Sequence, residues 1–256
     1  MRILVTNDDG IEAKGISELA RVACDTGMEV VVTAPSAERS GSGAALVAVE
    51  SPTGVVTDSV GLPAAPQATA YGIHASPALI TVMAATGAFG MKPDLVLSGI
   101  NHGPNTGLAV LHSGTVGAAF TAVAHGIPAI AFSHASAQPR SWDTAAIVAR
   151  HVVRWALAQP LAPLVLNVNI PDVPPEELRG IRGARLASFG AAQAQVEVED
   201  HTQTVTVSEP AGQHRPDSDA ALLEAGWATV TAVAAPCEIP ADLPGLLSEQ
   251  LLVATA

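Results

Sequence analysis

Asp8 and Asp9 stand side by side in the opening stretch MRILVTNDDGI. Before them, Arg2 to Thr6 is a short apolar run rich in β-branched residues, which reads as a buried strand. Asn7-Asp8-Asp9-Gly10 then favours a turn. Such a quartet has two readings, an Asx turn feeding the next helix or a pair of oxygen ligands for a cation. Successive side chains on a strand point to opposite faces, so the two carboxylates converge only beyond the strand's end. In an open parallel sheet the carboxyl end of a strand is where ligands bind.

Two more stretches offer oxygen donors. Ser40 lies in Arg39-Ser40-Gly41-Ser42-Gly43, and Asn101 lies in Gly99-Ile100-Asn101-His102-Gly103-Pro104-Asn105-Thr106-Gly107. Carboxylate, hydroxyl and amide oxygens suit a hard cation such as Mg²⁺ or Mn²⁺ rather than zinc. Next comes His112-Ser113-Gly114-Thr115, ahead of an Ala- and Val-rich segment of helical length. Ser113 or Thr115 can cap that helix, and the free N–H groups of its first turn form an anion site. Glycines at 99, 103, 107 and 114 let the backbone come close to a phosphate. A cation beside a helix N-terminus is an arrangement for phosphoryl chemistry. His102 and His112 flank these loops; each is either a proton donor to a leaving oxygen or a solvated loop residue.

The elements that must carry these groups alternate. The spacing predicts a helix over Gly15 to Thr26 and strands over Met28 to Thr33, Asp94 to Ser98, Ile127 to Phe132 and Leu164 to Asn169. Ser76 and Pro77 fit the cap and first position of a second helix, Val116 to His125 a third and Trp142 to Leu157 a fourth. The fold class expected is α/β, a Rossmann-like doubly wound, mostly parallel sheet over residues 1–175. Leu46 to Val60 and Ala68 to Ile73 read as short antiparallel strands. After Pro171 the pattern changes. Ala194 to Glu199 and Gln203 to Val207 alternate as a hairpin, Trp227 to Val233 is a strand, and Leu243 to Leu252 is a last helix. Residues 176–256 are thus expected to form a smaller β-rich C-terminal extension.

Composition narrows the partners. With 256 residues, 48% hydrophobic and 14% charged, the chain can bury a sizeable core, and 3% aromatics means that core is aliphatic. A net charge of −12 argues against a nucleic-acid polymer, which needs a clustered cationic surface. Cys24 and Cys237 are the only cysteines, which makes neither a disulfide framework nor a metal-type spacing. No signal peptide is apparent and no apolar run reaches the roughly 18 residues of a membrane helix, so a cytoplasmic setting is expected. Gly41-x-Gly43 invites a dinucleotide reading. It fails because Leu46 replaces the third glycine, the glycines follow the second strand, and no helix clearly begins there.

With MRILVTNDDGI, the Ala-Pro and Arg-Ser-Gly of Ala34 to Gly41, PDLVLSGINHGPNTG, SGTVGAA, GIPAIAFS, LNVNIP and DSDAALLEAGWATVTAV in place, the chain resembles the SurE survival-protein family of 5′/3′-nucleotidases. The resemblance runs nearly end to end. It implies divalent-metal-dependent hydrolysis of nucleoside 5′- and 3′-monophosphates, with one Mg²⁺ or Mn²⁺ per subunit, in a homodimer or homotetramer. Carried over by position, Asp8, Asp9, Ser40 and Asn101 are the metal ligands. Asp8, Asn101 and Ser113 are the catalytic residues, and Ser42, Gly43, Asn105, Ser113, Gly114 and Thr115 bind the substrate. Attack by metal-activated water is implied, with no covalent intermediate required.

The chain also departs from the family pattern. Where the family usually carries Gly-Thr-Pro-x-Asp-Cys-Val, this sequence has Ala75-Ser76-Pro77-Ala78-Leu79-Ile80-Thr81. A Glu usually follows soon after SGTVGAA, and here Phe120-Thr121-Ala122 stands there. His112 replaces a common Tyr. These changes bear on substrate preference and the subunit interface. They keep open a specialised phosphatase for another phosphorylated metabolite, or a nucleotide-binding protein without turnover.

Overall fold

The computed structural model describes residues 1–51, 54–90, 92–188, 193–199, 202–208 and 214–234. In chain order its elements begin with β1 (Arg2–Thr6), α1 (Lys14–Cys24), β2 (Glu29–Pro35), β3 (Glu50–Ser51), β4 (Gly54–Val55), β5 (Thr57–Val60) and β6 (Thr69–Ile73). Then follow α2 (Pro77–Ala85), β7 (Leu95–Asn101), α3 (Gly114–Ala124), β8 (Ala129–His134), α4 (Asp143–Leu157) and β9 (Val165–Ile170). The last are β10 (Ile181–Gly183), β11 (Gln193–Glu199), β12 (Thr202–Ser208), α5 (Asp219–Glu224) and β13 (Ala228–Val233).

One sheet has the order β10-β13-β9-β8-β7-β1-β2-β6-β5. From β6 through β2, β1, β7 and β8 to β9 every pairing is parallel. The chain winds outward from β1 to β2 and β6, then returns to lay β7, β8 and β9 on the other side. The winding direction reverses between β1 and β7, and in such sheets that switch point opens a crevice at the strands' carboxyl ends.

The period-2 pattern of each strand feeds two cores. Ile3, Val5, Leu95, Leu97, Ile130, Phe132, Leu166 and Val168 pack with Ile16 and Leu19 of α1 and Val152 and Val153 of α4. Leu4, Val96, Ala129, Ala131 and Val165 pack with Val116, Ala119 and Ala122 of α3. Each fully buried Leu, Ile or Val contributes about 1.5–3 kcal/mol relative to exposure. Small alanines on α3 let that helix lie close to the sheet, and this brings its first turn to the crevice.

Two expectations change. The Ala68 to Ile73 strand is antiparallel to β5 as expected, but it also pairs parallel with β2, so β6 continues the main sheet. The strand expected to stop at Ser98 runs on to Asn101. Gly99 reads locally as a breaker, yet a β-carbon there would stand 2.2 Å from Phe132 O, and its φ is +129°. The glycine serves close approach of β8 in a backbone conformation that other residues resist. Asn101 is therefore the last residue of a strand, and Gly107–His112 forms a 3₁₀ stretch before α3. The hairpin appears as the antiparallel pair β11 and β12, while Leu243 to Leu252 lies outside the described residues. Beyond residue 175, β13 and β10 extend the main sheet.

Candidate active site

Asn7 builds the turn that holds Asp8. Its side chain is buried, donates to Gly10 O (3.0 Å) and accepts from Gly10 N (3.2 Å). Arg39 N donates to Asp8 O (2.7 Å), which ties the loop after β2 to the same turn. The Asp8 side chain, only 3% exposed, accepts the Thr115 hydroxyl. That hydroxyl also lies 3.2 Å from Asn101 Oδ1. The Asn101 amide nitrogen donates to Gly103 O (2.8 Å), which fixes Oδ1 as the atom facing Thr115. Three oxygens from three distant segments thus converge with one hydroxyl hydrogen among them.

Asp9 faces the exit of β7. Its Oδ2 accepts from His102 N (3.3 Å), and Oδ1 lies 3.5 Å from His102 Nδ1. Burial pushes Asp8 up to about 6, and the neighbouring Asp9 charge adds to this while the Thr115 hydroxyl opposes it. Burial likewise pushes Asp9 up to about 6, opposed by the His102 N–H and reinforced by Glu38. Two carboxylates held so far above their ordinary range form a site that gains from a cation. Among the described residues no three His, Cys, Asp or Glu side chains converge on one point. The donors are instead two carboxylates with amide and hydroxyl oxygens, a set that fits a hard divalent ion.

The first turn of α3 completes the wall. Ser113 is its N-cap, with Oγ accepting from Val116 N (3.1 Å). A β-carbon at Gly114 would stand 2.6 Å from Asp8 Oδ2 and 2.8 Å from Ser42 Oγ. Ser42 Oγ is buried there with no hydrogen-bond partner among the described residues. Gly43 N donates to His112 O (3.2 Å), and Gly43 O lies 2.2 Å from where a Gly117 β-carbon would sit. The geometry therefore gathers Asp8, Asn101, Thr115, Gly114, Ser113, Ser42 and Gly43. Ser40 is exposed, and its hydroxyl donates to Glu38 (2.7 Å), the same carboxylate that acts on Asp9.

Asn105 anchors its loop to the ends of β8 and β9. Its side chain donates to Ser133 Oγ (2.7 Å) and its N–H to Asn169 Oδ1 (2.8 Å). Its carbonyl accepts from Asn167 (2.8 Å) and Asn169 (3.0 Å). The Asn-x-Asn spacing on a buried strand signals this anchor, because buried amides need partners. The places of Glu38, Trp142 and His134 beside these groups were not visible from sequence, and Asp219 showed there only as part of the closing DSDAALLEAGWATVTAV segment. Trp142 packs between two imidazoles, 5.3 Å from His102 and 5.5 Å from His134. Burial pushes both histidines below their ordinary range. His112 is exposed, at the end of the 3₁₀ stretch.

A family model described as survival protein SurE matches residues 3–193. This chain belongs to the SurE family. The 5′-nucleotidase SurE of Methylococcus capsulatus is 38% identical over 201 residues, 78% of this chain and 76% of that protein. That of Synechococcus elongatus is 41% identical, over 72% of this chain and 70% of its own. The crystal structure of the SurE protein from Aquifex aeolicus superposes with a TM-score of 0.76 at 29% identity, covering 93% of this chain and 95% of that one. At the position where this SurE chain departs from the family's Asp-Cys pair, Ile80 is fully buried and Leu79 partly buried in an apolar cluster with Ile73 and Ala75. Ser76 retains the cap of α2 and also accepts from Val47 N (3.1 Å), which pins the far end of the Ser42 loop.

Proposed function

We propose that this chain is a divalent-cation-dependent phosphomonoesterase that hydrolyses nucleoside 5′- and 3′-monophosphates to nucleoside and phosphate. The observation that carries the proposal is the convergence of Asp8, Thr115 and Asn101 oxygens against the first turn of α3, at the switch point of the sheet. The names of the SurE relatives supply the substrate class. Asp8, Asp9 and Asn101 would hold the cation, Mg²⁺ or Mn²⁺, one per subunit, with Ser40 added by family position. When bound, it supplies Lewis acidity that polarises the phosphoryl oxygen and makes water more acidic.

The chain's own groups bind and orient. The N–H groups of Gly114 and Thr115 sit at the positive end of α3 and donate to phosphate oxygens. The Ser113 and Ser42 hydroxyls are free to donate, and Asn105 fixes the opposite rim. A water oxygen forms the new P–O bond and releases a proton as the ester P–O bond breaks, and the leaving oxygen takes up a proton in exchange, so one water is consumed per ester. The proposal extends to a homodimer or homotetramer in the cytoplasm; no helix among the described residues is long and apolar enough to cross a membrane.

The test is phosphate release from a panel of nucleoside 5′- and 3′-monophosphates and other phosphate esters with Mn²⁺ or Mg²⁺. Turnover is expected on nucleotides, abolished by EDTA and by Asp8→Asn. Activity that survives either treatment, or nucleotides ranking behind another ester, overturns it.

A further inference from the structure

We infer that Asp219, far along the chain from the cation ligands, is the positioning residue that sets the phosphate-binding face of the site; this rests on the phosphatase reading above. Asp219 is fully buried at the start of α5. Its Oδ2 accepts from Gly107 N (2.9 Å), and its Oδ1 accepts from Ala187 N (2.9 Å) and Ala220 N (2.8 Å). No Lys or Arg pairs with it among the described residues. A buried carboxylate is costly unless hydrogen bonds satisfy it, and here main-chain N–H groups from three segments do so. Its own N–H donates to Arg185 O (2.8 Å), so the 185–187 and 217–220 segments form one clamp closed on Gly107.

Gly107 begins the 3₁₀ stretch that ends at His112 and delivers Ser113 and Gly114. Val110 of that stretch is buried in the core beside α3. His112 O receives Gly43 N, which couples the Ser42 loop to the same stretch. The clamp therefore governs Ser113, Gly114 and Ser42. Asp8 and Asp9 have a support of their own, the turn closed by Asn7 and Gly10, and Asp219 makes no hydrogen bond to that turn. Asp219 also lies beyond the 3–193 span of the family model. The result is a division of labour in which the amino-terminal strands hold the cation and a distant carboxylate holds the phosphate wall.

Asp219→Asn replaces one acceptor oxygen with a donor that opposes a main-chain N–H. Full-length wild type and D219N are compared with Mn²⁺ present: Mn²⁺ affinity by electron paramagnetic resonance, inorganic phosphate affinity by calorimetry, and KM and kcat on a nucleoside monophosphate. Phosphate affinity is expected to weaken and KM to rise about tenfold to a hundredfold, the scale of a misplaced binding group. Mn²⁺ affinity is expected to stay within about twofold of wild type. Unchanged phosphate affinity overturns the inference, and so does an equal loss of Mn²⁺ affinity. If D219N fails to fold, hydrogen exchange in the wild type decides: the Gly107 amide is expected to exchange as slowly as sheet amides, and fast exchange overturns the clamp. Wild type that binds no phosphate counts against the phosphatase reading instead, and the Gly107 exchange rate still reads the clamp.

Discussion

Gly114 and Asp8 touch across the switch point: a β-carbon at 114 would stand 2.6 Å from Asp8 Oδ2 and 2.8 Å from Asp8 Cβ. The first helical residue of α3 and the first carboxylate after β1 therefore share one space. The positive helix end and the carboxylate are parts of a single site.

Gly114→Ala tests this contact. In an unconstrained helix, alanine is favoured over glycine by up to about 1 kcal/mol. Here the added methyl drives into Asp8 and Ser42, so the effect on function has the opposite sign. Phosphate release is expected to fall more than about a hundredfold, since displacement of about 1 Å costs that much. Mn²⁺ affinity falls with it, while circular dichroism stays that of the wild type. Near wild-type turnover in this variant would show that the site tolerates the displacement.

Thr115 gives its hydroxyl to Asp8 and lies 3.2 Å from Asn101 Oδ1. Thr115→Val keeps the shape and removes the donor, which costs about 1–3 kcal/mol for a buried acceptor left unmatched. Its loss also lifts Asp8 further, because that hydroxyl opposes the burial effect. Lower Mn²⁺ affinity is expected at pH 6, with rescue by Thr115→Ser. Calorimetry of the two variants side by side is the measurement. Failure of the serine variant to recover would assign the effect to packing.

The pH dependence follows from Asp8 and Asp9, both at about 6 in the fold against an ordinary 3.8. Between those values the metal-free native state binds more protons than the unfolded chain, so its stability declines as pH rises from about 4 to about 6. A cation requires both carboxylates ionised. Affinity for Mn²⁺ is expected to climb through the same window and level off above it. The difference in Tm with and without Mn²⁺ reads this directly. It cancels the contribution of buried His134, whose lowered pKa works the other way by removing stability as pH falls below its ordinary value. A Tm difference that stays flat from pH 4 to 7 would contradict the pair's role.

The helices and strands of the core were legible because their signals are local. Ser76-Pro77 at the head of α2 and Ser113 at the head of α3 act within one helical turn. The alternation in Ile3-Leu4-Val5 reports burial on both faces of a sheet. The placing of Asp8 and Asp9 just past β1 was legible because Asn7-Asp8-Asp9-Gly10 breaks a strand locally. Gly99 misled, because a glycine required by close approach of Phe132 O has the same letter as a breaker. Ser40 carries the family position, but its hydroxyl goes to Glu38.

The sequence by itself determined the order of strand and helix, the switch-point edge where the carboxylates emerge, and the cap that opens α3. Each is set by neighbours within a few residues. Only the tertiary structure decided that the Thr115 hydroxyl donates to Asp8, that Asn105 is held by Asn167 and Asn169, and that the Asp219 carboxylate accepts from Gly107 N. Those hydrogen bonds join residues 62 to 112 positions apart. No local pattern encodes them, because they exist only where the winding of the sheet brings distant strand ends to one crevice.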